Sequence, residues 1–173
     1  LGTVLEKENQ KSAAHTAYTR STTADAGYLP PYLSLAVMAS AAENWREVIR
    51  TTNFILALDP FKDLTGYTVE LDPFNFAEAY FYNALANYQI QNFAEAERNA
   101  LKAEHLLGRT PELHLLLGEL FARKNDYAAA IVEMQTYLDI VPHADNADQI
   151  RARLAELKKR ADSLPSGEKN DRL

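Results

Sequence analysis

Apolar side chains recur at helical spacing along most of this chain, and polar residues fill the positions between them. Ala13, Ala14, Ala17 and Tyr18 make one such stripe, and Leu33, Leu35, Ala36, Val37 and Ala39 make another. A third runs through Ile150, Leu154, Leu157, Ala161 and Leu164. Stripes of this period predict amphipathic helices. The first helix is the stretch 1–8, with a partner over 10–24. The Pro30-Pro31 pair opens the next, because proline is tolerated in a first helical turn. That helix runs to about Ala42, and its partner runs from Trp45 to Leu58, stopped by Asp59-Pro60. A third pair is predicted over 76–107. A fourth opens at Thr110-Pro111-Glu112, which reads as a capping threonine, a proline and a first-turn acid, and ends near Val141. A last helix, 145–163, starts at Asp145 or Asn146 and is apolar on one side only. Its other side carries Arg151, Arg153, Glu156, Lys158, Lys159 and Asp162.

The pairs share one frame. A small residue sits at Gly2, Ala36, Ala84 and Gly118, and twelve residues later stand Ala14, Val48, Ala96 and Ala130. An aromatic follows the first set by nine residues at Trp45, Phe93 and Tyr127. A terminator follows by twenty-four, at Ala26, Pro60, Gly108 and Pro142. Successive units are offset by 34, 48 and 34 residues. Two antiparallel helices approach closely where small side chains meet, so Gly118 with Ala130 and Ala84 with Ala96 mark crossings. The aromatic fills the wedge at the turn. Self-similarity at 34 residues is the mark of stacked helical hairpins, in which one unit cannot bury its apolar face alone.

The segment from Ala77 to Ala96, AEAYFYNALANYQIQNFAEA, resembles a tetratricopeptide repeat (TPR). So does Pro111 to Pro142, with Leu117-Gly118, Phe121, Tyr127, Ala130 and Pro142 at the family's key positions. The resemblance spans about residues 1–142. It is weaker in the second unit, where Val48 replaces the usual alanine and Thr52 the usual aromatic. It implies an all-α, right-handed solenoid over 1–164, with units at about 1–28, 29–62, 77–110 and 111–144. The one-sided helix 145–163 would close the core against water. Residues 165–173 read as a disordered tail. The chain opens in mid-frame at Leu1-Gly2, which predicts a piece of a longer protein.

The irregular interval is an insertion at about 61–75. Leu-Asp-Pro-Phe occurs at 58–61 and again at 71–74, so the second copy restores entry into the next repeat. Thr65-Gly66 signals a turn, and Tyr67-Thr68-Val69 favours an extended piece. Phe61, Leu64, Tyr67, Val69, Leu71 and Phe74 make the insertion too apolar to hang in water, so it is expected to pack on the array.

Composition narrows the function. The net charge of −6 and pI near 5.2 argue against nucleic acid, which requires a basic face. There is no cysteine, hence no disulfide and no thiolate ligand or nucleophile. No apolar run is long enough to span a membrane; the stretch from Leu33 to Ala42 is short and holds Ser34 and Ser40. His15, His105, His114 and His143 lack a second ligand at helical spacing. Asp145-Asn146-Ala147-Asp148 lacks the glycine and closing glutamate of a calcium loop and reads as a cap. Glu95 and Glu97 read as solvated helix charges. No catalytic, cofactor or metal motif emerges, so the expected protein is not an enzyme.

The resemblance also implies where a partner would sit. In the family, the groove residues lie on the first helix of each unit. Carried over, they are Leu33, Val37, Ser40 and Ala41; Glu78, Phe81, Leu85, Tyr88 and Gln89; and Glu112, Leu115, Glu119, Ala122 and Arg123. Their middle is apolar, and Glu119 and Arg123 lie one turn apart, placed to pair or to meet a ligand's charges. A peptide or protein segment is the expected occupant; the alternative is a structural or oligomerisation module whose groove is filled in cis. The truncated first unit suggests self-association at that end. The Lys and Asn clamp that some members use for a terminal carboxylate is absent, since Leu33, Val37, Phe81, Leu85, Leu115 and Glu119 hold its positions. The stretch 80–88 and the final helix look similar to bacterial cell-envelope proteins with an upstream carboxypeptidase-regulatory-like domain, which would favour the periplasm or envelope.

Asn83 and Asn87 stand where the repeat packs apolar side chains, stacked one turn apart. Buried amides need partners. Backbone groups of the insertion are one source, and each other with a water is another.

Overall fold

The computed structural model describes residues 1–58, 73–107 and 110–163. Within them the chain forms α1 (Gly2–Lys7), α2 (Lys11–Ala24), α3 (Pro30–Ala41), α4 (Trp45–Ala57), α5 (Pro73–Gln89), α6 (Phe93–Leu107), α7 (Pro111–Arg123), α8 (Tyr127–Ile140) and α9 (Ala147–Ser163), and no strand. It divides into two compact units, Leu1–Gly108 with α1–α6 and Arg109–Leu173 with α7–α9. In the first, each helix packs on the next in sequence, and α3 also packs on α5. In the second, α8 lies against both α7 and α9. The expected extended piece at 67–69, the packing of the insertion and the tail fall outside the described residues. The last three residues of the insertion, 73–75, do not: α5 opens at Pro73, three residues before the expected start, with proline in the first turn.

Every hairpin closes by the same device. The second residue after the first helix is left-handed in all four: Asn9 (φ 58°), Glu43 (55°), Gln91 (65°) and Asn125 (61°). The amide of the next residue reaches back five positions, Gln10 to Leu5 O (2.8 Å), Asn44 to Ala39 O (2.9 Å), Asn92 to Asn87 O (2.8 Å) and Asp126 to Phe121 O (3.0 Å). This is a Schellman closure, which satisfies carbonyls the helix end would leave open. The same residue then starts the second helix. Asn44 Oδ1 accepts from the Glu47 amide and Asp126 Oδ1 from the Ala129 amide. Thr110 holds the capping position before α7, but its side chain makes no capping bond.

A left-handed Glu or Gln costs about 1 kcal/mol relative to glycine. Gln91→Gly is therefore expected to stabilise the first unit by about 0.5–1 kcal/mol. Trp45, the only tryptophan, reports on that unit, so urea unfolding followed by its fluorescence would measure the gain.

The small residues stand where the helices cross. Ala14, Ala36, Val48, Ala84, Ala96 and Ala130 are all fully buried. A Cβ on Gly118 would lie 3.4 Å from Ala130 O and 2.7 Å from Met134 Cγ, so only glycine lets α7 come this close to α8. In the first hairpin the Tyr18 ring takes that place against Gly2. Tyr18 donates to Glu6 Oε2 (2.6 Å), and burial, aided by that bond, holds its hydroxyl pKa above the ordinary value.

The predicted stripe of α9 is buried at Ile150, Leu154 and Leu157. These pack with Met134, Tyr137 and Leu138 of α8 into the core of the second unit. Tyr137 donates to Asn146 Oδ1 just before α9 (2.5 Å).

The first unit has a different centre. Asn83 donates to Thr52 Oγ1 and Asn53 Oδ1 on α4, both at 2.8 Å. Its own Oδ1 accepts from Asn87 Nδ2 and from Asn99 Nδ2 on α6, both at 2.7 Å. Asn92 Nδ2 donates to Asn87 Oδ1 (3.0 Å), and Thr52 Oγ1 donates to Val48 O (2.7 Å). Asn83 thus uses both donors and both lone pairs while essentially buried. Its partners among the described residues are side chains of α4, α5 and α6, including Asn87; any bond to backbone of the insertion falls outside the described residues. Thr52 is not a failed aromatic; it receives the Asn83 amide.

Candidate functional site

Proline at the first turn and the left-handed turn fix where α3 and α5 begin and end, and the two helices lie side by side. Residues 81, 85 and 88 share one face of α5 by helical spacing. Phe81, Leu85 and Tyr88 are half-buried there, with Glu78 half-buried at one end and Gln89 exposed at the other. Tyr88 is packed edge-on against Phe93, the aromatic that opens α6, with centroids 5.6 Å apart. Phe81 meets Tyr82 in the same manner at 5.3 Å. On α3, Val37 is 37% exposed whereas Leu33 is 8% exposed and serves the core. Val37, Met38 and Ala41 line a pocket of about 280 Å3, flanked by Glu6 and Lys11. The first unit therefore brings Val37, Phe81, Leu85 and Tyr88 onto two adjacent helices.

Leu115, Glu119 and Arg123 belong to the second unit. Leu115 is half-buried against the Met134–Leu157 core. Glu119 Oε2 lies 3.5 Å from Arg153 Nη2 on α9. Arg153 also bonds Glu156 Oε2 (2.8 Å), and that bond first, with Glu119 beside it, raises the guanidinium pKa above its ordinary value. Glu119 thus has a partner on α9, besides the Arg123 one turn away or the ligand charges expected for it. Arg123 is exposed and has a partner of its own.

Two further polar residues depart from expectation. Glu95 is not simply solvated: it pairs with Arg98 (2.5 Å) and accepts from Asn99 Nδ2 (3.3 Å). His114 is buried, its Nδ1 2.7 Å from Glu133 Oε2 on α8. The partner lies 19 residues away, so no local spacing announces it. His15, His105 and His143 are exposed.

Eight of the nine helices among the described residues are paired through four left-handed turns of one kind, with fully buried residues at their crossings, and this decides the architecture. The fold is that of the tetratricopeptide repeat. No protein-family model and no curated protein matches the sequence. Solved TPR-fold structures do match in shape. One is MamA, with a TM-score of 0.66 at 19% identity, covering 93% of this chain and 92% of that one. A tetratricopeptide repeat protein from Parabacteroides merdae gives 0.67 at 16% identity, covering 92% of this chain and 57% of its own. The APC/C hetero-tetramer Cut9–Hcn1 gives 0.66 at 18% identity, covering 93% of this chain and 29% of that one. No helix among the described residues is long and apolar enough to cross a membrane.

Proposed function

We propose that this protein is a non-catalytic scaffold that holds a peptide or protein segment against the first helices of its hairpins. The observation that carries this reading is the strip of part-exposed apolar side chains, Val37, Phe81, Leu85 and Tyr88, on adjacent TPR helices. The Phe81 and Tyr88 rings are held by neighbouring aromatics, so little of their rotamer entropy is lost when a partner docks. Such a strip, with Glu78 and Gln89 at its ends, has the apolar middle and polar rim of a recognition surface. The Val37–Ala41 pocket would take one apolar side chain of the segment. The fold favours this class of role, since solved TPR proteins include subunits of assemblies such as Cut9–Hcn1.

The test is affinity capture from the source cell's extract. The parent protein is compared with a Phe81→Ala/Tyr88→Ala/Arg123→Glu variant of matching circular dichroism. A partner retained by the parent and lost at least about tenfold by the variant supports the groove, given that buried aromatic anchors carry most interface energy. Equal capture by both would remove the function from this surface.

A structural module is the second reading. At the start of α1, Leu1 is 85% and Val4 is 53% exposed, an apolar edge suited to a second copy. Sedimentation across a concentration series tests it: a Val4→Glu variant would remain monomeric where the parent associates, and a parent monomeric throughout would end the idea.

A further inference from the structure

The second helices of the first unit carry a cleft that the peptide groove does not use. It measures about 380 Å3 and opens between α4 and α6, with Tyr80 of α5 in its lining. Its base is rigid. Tyr80 and Asn99 are each 5% exposed, and both hydrogens of the Asn99 amide are committed, to Asn83 and to Glu95. Asn53 reaches the cleft from α4. Its Oδ1 accepts from Asn83, which fixes the orientation of the amide, and its NH2 has no acceptor among the described residues. Lys102 holds its ammonium over the Tyr80 ring, 5.0 Å from the centroid, with no carboxylate partner among the described residues. Arg98 bonds Glu95 through Nη2, leaving most of its five donors unassigned. The carboxylate of Glu95 is itself occupied by Arg98 and Asn99.

The cleft thus has a surplus of donors. Arg98 and Lys102 against Glu95 give a local charge of about +1, in a chain whose net charge is −6. We infer that the α4–α6 cleft binds an oxyanion, a carboxylate or phosphate group, between Arg98, Lys102 and the Asn53 amide. The arrangement suits it: a guanidinium fork takes two oxygens, an ammonium supplies a point charge, and a fixed neutral amide selects orientation. The Tyr80 ring seats the Lys102 ammonium at the cleft. The site is independent of the proposed groove, which uses α3 and α5.

Two-dimensional NMR on the whole protein tests this, titrating inorganic phosphate, acetate and a capped tri-glutamate peptide separately at constant ionic strength. Saturable shifts at Asn53, Arg98 and Lys102 are expected. Response to phosphate or acetate would identify a free anion as sufficient, and response to the peptide alone would identify a carboxylate presented on a chain. Lys102→Met keeps the aliphatic stem on Tyr80 and removes the charge, and it should weaken binding about tenfold. Both cations are exposed, so Lys102→Met and Arg98→Gln retain the fold, which circular dichroism verifies. Absence of a saturable shift with all three probes overturns the inference, as does an unchanged response in both variants.

Discussion

Asn83→Leu is expected to destabilise the first unit by about 3 kcal/mol, although leucine is what the repeat pattern places there. The reason lies in what is left behind. Thr52, Asn53, Asn87 and Asn99 all meet the Asn83 amide, and Thr52, Asn87 and Asn99 are themselves buried. Leucine removes two donors and two lone pairs at once, and the remaining polar atoms cannot recover water. Satisfying a buried network in part is worse than having none. Urea unfolding read at Trp45 would measure the loss. A cycle with Asn99→Ala should show coupling of about 1–2 kcal/mol, because the two amides share a bond. A loss under about 0.5 kcal/mol would contradict the account. Replacing the set together, as Thr52→Val, Asn83→Leu, Asn87→Leu and Asn99→Ala, should recover most of the stability. The network then acts as a register device joining α4, α5 and α6 rather than as a net source of free energy.

The second large effect concerns the other unit. Ending the chain after Asn146 removes α9 and uncovers Met134, Tyr137 and Leu138. Burial of Ile150, Leu154 and Leu157 contributes about 2 kcal/mol each, so roughly 6 kcal/mol is lost. That is comparable with the whole stability of a small domain. Amides of α7 and α8 should lose hydrogen-exchange protection while those of α1–α6 keep theirs. Retained protection in α7 and α8 would show that the hairpin needs no cap. The Glu119–Arg153 pair would be lost too, but as a half-exposed ion pair it adds little.

What could be read from the sequence was what is encoded locally. Small crossing residues, the aromatic at the second helix and the terminators recur at fixed offsets, so the hairpins were legible from residue types alone. The left-handed turn was less so. Asn9 and Asn125 suit that conformation, but Glu43 and Gln91 do not advertise it, and only the frame places them. Asn83 stood out as an anomaly, yet its partners lie 31, 30 and 16 residues away on two other helices. Nothing near Asn83 in sequence names them. His114 with Glu133 and Glu119 with Arg153 were hidden for the same reason. Val37, Phe81, Leu85 and Tyr88 could be placed on first helices by the frame.

The repeated turn has a kinetic consequence. Each Schellman closure and each small-residue crossing joins residues at most about sixteen apart, so a hairpin can form before the rest of the chain is ordered. Topologies of this kind fold fast, because little loop entropy is lost before contacts form. The amide network is the slow exception. Its Asn83–Thr52 bond spans 31 residues and joins separate hairpins. Substitutions in the turns should therefore change the folding rate of the first unit, while substitutions at Asn83 should act mainly on its rate of unfolding.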